Sequence, residues 1–119
     1  MVEDLTARRF TRIEFEADVK LYSTGAMWET SLIDISLKGA LCGRPVDWDA
    51  RMGKSYRLEL RLPGGSRISM NAIAANANDT TIGFQWSQID FDSFAHLKRL
   101  IELNIGDPEL MNRELTALG

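Results

Sequence analysis

One cysteine and one histidine in 119 residues leave little from which to build a metal site or a disulfide framework. Cys42 has no partner for an internal bridge, and His96 alone does not make a Cys/His set of the kind that holds zinc. Long apolar runs are missing too. Nothing approaches the roughly 20 consecutive apolar residues of a membrane span, and the N-terminus has no apolar stretch between a basic start and a cleavage site. A cytoplasmic protein without membrane insertion is expected. Basic charge is also in deficit, with 14 Lys and Arg against 17 Asp and Glu and a net charge of -3. That balance argues against a broad grip on a nucleic-acid polymer, which needs many cations on many phosphates. Finally, no Ser/His/Asp or Cys/His arrangement is visible, and the carboxylates fall mostly on polar strand faces, so no enzyme is expected.

What is present is alternation. A hydrophobic content of 45% in a chain of this length supports one core, and a single domain over residues 1–119 is expected. Ile13, Phe15, Ala17, Val19 and Leu21 lie on one face of a first strand, with Glu14, Glu16, Asp18 and Lys20 on the other. Trp28 to Ile35 reads as a second strand in which Ile33 and Ile35 share a face, and "GALC" resumes briefly after "SLKG". Tyr56, Leu58, Leu60 and Leu62 alternate next. "PGG" turns the chain, Ile68, Met70, Ala72 and Ala74 return, "NAND" turns it again, and Ile82, Phe84 and Trp86 close the series. Six short strands with tight turns predict a small antiparallel barrel or sandwich over residues 13–87.

From residue 90 to 118 the period becomes helical. Phe94, Leu97, Leu100 and Ile101 mark one helix, with Asp90, Asp92 or Ser93 as its cap and Asn104 and Gly106 at its end. Asp107 and Pro108 open a second, whose apolar side carries Leu110, Met111, Leu115 and Leu118. Trp28, Trp48 and Trp86 are expected as packing residues, Cys42 as a buried inert thiol, and Lys98 and Arg99 as a solvated helix face.

Two motifs stand apart from the packing pattern. Residues 1–12 read as a flexible arm with a net charge of +1, all of its positive charge coming from Arg8, Arg9 and Arg12. "DISLKG", Asp34 to Gly39, has the form D-x-S-x-x-G at the end of the second strand. Read alone, the first is a solvated terminus. The second is a turn in which Asp and Ser bond nearby backbone and Gly takes a positive φ.

Together they resemble the PilZ domain. "RRFTR" before the first strand, "DISLKG" after the second, the late "IGFQW" and the C-terminal "FAHLKRLIELNIGDPELMNREL" carry the likeness across nearly the whole chain. It implies a mainly β fold, a six-stranded antiparallel barrel with C-terminal α-helices and a flexible N-terminal arm. It also implies a receptor for the bacterial second messenger cyclic di-GMP that signals to a protein partner. Arg8 and Arg12 would be the two motif arginines, Asp34, Ser36 and Gly39 the second motif, and Arg9 a further phosphate ligand. No cofactor is implied beyond that ligand.

The residue types suit it chemically. A guanidinium fork bonds phosphate oxygens or guanine O6 and N7, while a carboxylate accepts from guanine N1–H and its amino group. Two positions depart from the family pattern. Ala7 stands where some members carry a third arginine associated with a stacked ligand pair. Asn76 stands where others offer an aromatic residue for stacking, worth about 1 to 3 kcal/mol per base. A PilZ-like docking adaptor that takes up no nucleotide is the alternative.

Overall fold

The computed structural model describes residues 10–118. Its elements are β1 (Ile13–Glu14), β2 (Asp18–Ser23), β3 (Ala26–Ile35), β4 (Gly39–Gly43), β5 (Ser55–Arg61), β6 (Arg67–Ala77), β7 (Thr81–Ile89), α1 (Phe91–Ile105) and α2 (Pro108–Leu118). Neighbouring strands run β3-β2-β5-β6-β7-β4, all antiparallel, and β4 returns to β3. Six strands therefore close into the expected barrel. β1 is an extra strand, paired with the far end of β3.

The anticipated first strand is broken in two. Glu14 faces Asp34 and Asp18 faces Ser31, so four steps along the first segment match three along β3. One surplus residue is taken up between β1 and β2, where the Phe15 amide still donates to the Ile33 carbonyl and the Leu32 amide to Ala17. The expectation that Ile33 and Ile35 share a face is also overturned. A register shift between Leu32 and Asp34 bulges β3 against β4, turning Ile33 outward at 40% exposure while Leu32 and Ile35 are both buried. A two-residue period cannot reveal that offset. β6 runs on to Ala77, into the first half of the expected "NAND" turn, with a further shift between Ala74 and Asn76.

Elsewhere the alternation packs as read. Val19 and Leu21, Tyr56, Leu58 and Leu60, Ile68 and Met70, and Ile82 and Phe84 are all buried. Small residues make room for rings. Tyr56 is paired with Ala72, and Phe84 with Ala40 on one side and Ala74 on the other. Trp28 and Trp48 are buried beside Tyr56, which meets Trp28 and Phe84 edge to face, whereas Trp86 is half-buried. Cys42 is fully buried, and burial first, then the Asp34 charge, pushes its thiol up to about 12. It stays an inert core residue.

The loop between β4 and β5 closes over this aromatic cluster. The Trp28 indole donates to the Asp47 carbonyl at 3.1 Å, and Asp49 accepts from the Tyr56 hydroxyl and, at 3.0 Å, from Lys54. Burial pushes the Asp49 carboxyl up, but the bonds from Tyr56 and Lys54 and the charges of Lys54 and Arg51 outweigh it, so the net shift is downward from 3.8. A carboxyl lowered by folding stabilises the fold above its unfolded value and loses that contribution as pH falls through its folded one. Asp49→Asn is therefore expected to flatten the acid limb of stability below pH 3.8, as read by urea midpoints at descending pH. A limb as steep as that of the parent protein would contradict this.

Caps set the start of both helices and the end of α1. The Asp90 carboxylate accepts from the Ser93 amide at 2.7 Å, and the Ser93 hydroxyl accepts from the Ser69 amide, fastening the start of α1 to β6. Gly106, at φ 66°, ends α1 in a left-handed cap. Asp107 accepts from the Glu109 and Leu110 amides, with Pro108 as the first residue of α2. Leu97, Ile101 and Met111 are buried against the barrel.

Candidate ligand-binding site

The ladder between β1 and β3 sets the corner where the two motifs meet. Ile13 faces Ile35 and Glu14 faces Asp34, so Arg12 leads directly into the register beside the "DISLKG" turn. Asp34 is half-buried next to the bulge. Its carboxyl is raised above 3.8, chiefly by burial, with Arg12 opposing the shift and Glu14 adding to it. Arg12 is exposed. A guanidinium thus stands close enough to act on a carboxylate that folding has placed at a cost. Carboxyls raised by burial beside a specific charged neighbour cluster at functional sites.

The turn itself is held by Ser36. Its amide donates to the Gly39 carbonyl at 2.9 Å, while its hydroxyl oxygen accepts from the Lys38 amide at 3.1 Å and the Gly39 amide at 3.2 Å. Ser36 is buried, and this work belongs to the turn. Gly39 does not take the positive φ foreseen for it; the glycines with positive φ among the described residues are Gly25, Gly53, Gly64, Gly65 and Gly106. What Gly39 supplies is closeness. A Cβ there would lie 2.0 Å from the Phe84 carbonyl oxygen on β7. The Trp86 amide donates to the Lys38 carbonyl at 2.9 Å, so the turn is stitched to β7 as well as to itself.

Phe10, Thr11, Lys38 and Glu114, which pattern reading passed over, complete the corner. Phe10 is buried in the core, and the Lys38 ammonium stands 5.8 Å from its ring centroid. Glu114 of α2, 2% exposed, accepts from the Thr11 amide through both oxygens at 3.0 and 3.1 Å and also from the Thr11 hydroxyl. The signal for Glu114 was there to find. It lies at helical spacing from Leu110, Met111 and Leu118, a charge within an apolar stripe.

Across the outer wall, Asp34 of β3 is paired with Leu41, Leu41 with Gly83, and Gly83 with Asn76. The exposed Asn76 amide lies over Gly83, close enough that a Cβ there would meet its oxygen. The row from Asp34 to Asn76 therefore carries only Leu41 between its two polar ends. Arg12, Asp34, Ser36 and Gly39 are brought to one corner. Arg8, Arg9 and the rest of the expected flexible arm up to residue 9 lie outside the described residues, whereas Phe10 and Thr11, expected within that arm, are held by the core and by Glu114. Depressions of about 280 and 260 Å³ occur on other parts of the wall, and neither is lined by these four residues. Among the described residues no group of His, Cys, Asp and Glu is arranged to hold a metal, and no helix is long and apolar enough to cross a membrane.

The profile of the PilZ domain matches residues 6–103. The chain belongs to the PilZ domain family. Solved structures share the fold at low identity. The PilZ domain with c-di-GMP of YcgR from Escherichia coli superposes with a TM-score of 0.69 at 15% identity, covering 82% of this chain and 90% of that one. The PilZ domain of CeSA from a cellulose-synthesizing bacterium gives 0.62 at 16% identity, covering 81% of this chain and 96% of that one. The Bacillus subtilis inhibitor of motility, MotI/DgrA, gives 0.65 at 22% identity over 74% of this chain, which spans 46% of that protein. In this PilZ domain Arg12 and the "DISLKG" turn fall at one barrel corner.

Proposed function

We propose that this PilZ domain is a receptor for cyclic di-GMP that works without catalysing a reaction, acts in the cytoplasm and passes its ligand state to a protein partner. The observation that supports the reading best is the meeting of Arg12 with Asp34 at the end of β3, next to a turn that Ser36 and Gly39 hold tight. Guanidinium groups of Arg12, Arg8 and Arg9 supply forks for the two phosphodiesters or for guanine O6 and N7. Asp34 supplies an acceptor for guanine N1–H and the amino group. Ser36 contributes through the shape of the turn, since its hydroxyl oxygen is already engaged by two amides. Gly39 contributes by letting β4 lie flush against β7.

Ordering the arm over the ligand changes the protein surface, and only such unequal binding to two conformations can carry a signal. The family neighbour solved with c-di-GMP lends weight to the ligand class. Titration calorimetry of the purified chain tests the reading, with saturable uptake at roughly tens of micromolar or tighter expected. An intact fold with no saturable heat would defeat it and leave the docking adaptor.

The outer row gives one further expectation. Asn76 offers no π-face, and Leu41 and Gly83 leave a low shelf beside it. Asn76→Trp is expected to tighten cyclic di-GMP binding about tenfold, within the range of base–aromatic stacking. Unchanged affinity in the same calorimetry would place the guanine away from this row.

A further inference from the structure

We infer that Glu114 is a positioning residue for ligand binding: it clamps Thr11 so that Arg12 is rooted beside Asp34, which makes α2 part of the binding machinery. The functional half of this inference rests on the receptor reading above. Its structural half stands on three consecutive residues. Phe10 is anchored in the core, Thr11 is gripped by the Glu114 carboxylate, and Arg12 is displayed.

The grip spans 103 positions of sequence and uses both carboxylate oxygens. A carboxylate buried to 2% exposure is tolerated only when hydrogen bonds replace water, and here the amide and hydroxyl of Thr11 do so. The dependence runs both ways. With Thr11 withdrawn, Glu114 would lose acceptor contacts in a buried place and α2 would dock less firmly. With Glu114 altered, the segment leading to Arg12 would lose its fixed exit. A side chain whose root is already fixed has less freedom to give up on binding, so the clamp raises affinity without touching ligand. By the same linkage, ligand held by Arg12 must steady α2. Thr11 lies inside the R-x-x-x-R motif, between Arg8 and Arg12, so a clamp placed there acts on the arm itself.

Glu114→Gln and Thr11→Val in the full chain test this with and without ligand. In the free protein, Asp34 is titrated through its carboxyl carbon by NMR. Arg12 opposes the upward shift of that carboxyl, so loosening Arg12 is expected to raise the midpoint further in both variants. With ligand, cyclic di-GMP affinity is expected to fall roughly five- to tenfold in Glu114→Gln and about two- to threefold in Thr11→Val, which removes the hydroxyl bond and keeps the amide bonds. The double variant should lose little more than Glu114→Gln alone, because the two residues make one contact. Leu58→Val, which loosens the barrel core on β5 away from α2 and Thr11, is expected to bind nearly as the parent does. Hydrogen exchange in residues 108–118 should slow on ligand addition in the parent and much less in Glu114→Gln. Parental Asp34 midpoints in both variants would overturn the clamp even if no ligand bound. Unaltered or tighter cyclic di-GMP binding in both would overturn its role in affinity. If the parent itself takes up no ligand, the receptor reading fails, while the Asp34 titration still decides the clamp. Should Glu114→Gln not fold, Thr11→Val keeps the buried carboxylate and both amide bonds and carries the same measurements at the smaller effect.

Discussion

Gly39→Ala is expected to lower the melting temperature of the ligand-free protein by about 10 °C, the shift for roughly 3 kcal/mol in a domain of this size. The added methyl would sit 2.0 Å from the Phe84 carbonyl oxygen, 3.1 Å from its carbon and 3.3 Å from the Gln85 Cα. All three atoms belong to backbone. No rotamer change can relieve the contact, so β4 must move away from β7. β4 has only five residues and is the strand that closes the barrel between β7 and β3. The lower chain entropy of unfolded alanine returns only about 0.4 to 1 kcal/mol, too little to offset the clash.

Gly83→Ala provides the contrast. Its methyl would meet the Asn76 side chain, at 2.4 Å from the amide oxygen, but that side chain is exposed and can swing aside. A loss within about 1 kcal/mol is expected there. Thermal melts of the two variants, followed by circular dichroism, decide the matter. Equal melting temperatures would mean that β4 and β7 separate easily, and that the motif glycine is kept for another reason. Because Gly39 holds the barrel shut, a binding defect in Gly39→Ala says little about ligand contact.

That double duty explains which parts of this protein were legible beforehand. The two-residue period of Tyr56–Leu62 and Ile68–Ala74 announces strands with one buried face, since a half-covered sheet leaves no other pattern stable. The caps at Asp90, Gly106 and Asp107 announce the helices because the backbone groups at helix ends must be satisfied locally. Local rules make local features readable. The bulge at Ile33 and the surplus residue between β1 and β2 are different. They arise from fitting a twisted sheet into a closed barrel, a constraint spread over six strands that no short window contains. The "DISLKG" and "RRFTR" motifs marked the corner of the candidate site, yet not how all of its parts are held. The bonding of Ser36 within its own turn was readable from D-x-S-x-x-G, but the closeness of Gly39 to β7 and the grip of Glu114 on Thr11 were not. Contacts between residues 103 apart depend on where the chain returns, and alternation is silent on that.

Arg12→Ala and Asp34→Asn are the substitutions that separate binding from folding. Arg12 is exposed, and no core contact depends on its guanidinium, so its removal is expected to cost cyclic di-GMP about 100-fold in affinity, the loss of a bidentate charge-assisted contact. Asp34→Asn is expected to cost about 10- to 100-fold, because a carboxylate acceptor for two guanine donors becomes an amide with a single acceptor oxygen. Their effects on stability should differ in sign. Folding raises the Asp34 carboxyl, mainly through burial, so the ionised group opposes folding at neutral pH, and its protonation relieves the penalty as pH falls through the folded value. Asparagine carries no such penalty, and Asp34→Asn should melt no lower than the parent at pH 7. Arg12→Ala removes the charge that opposes this upward shift and should melt slightly lower. Calorimetry and thermal melts on the same two preparations provide the check. Ligand affinity within about threefold of the parent in both variants would remove Arg12 and Asp34 from the binding site. Loss of ligand together with an unchanged or raised melting temperature in Asp34→Asn has one physical reading: the carboxylate is held at the barrel corner against the preference of the fold, for something other than the protein itself.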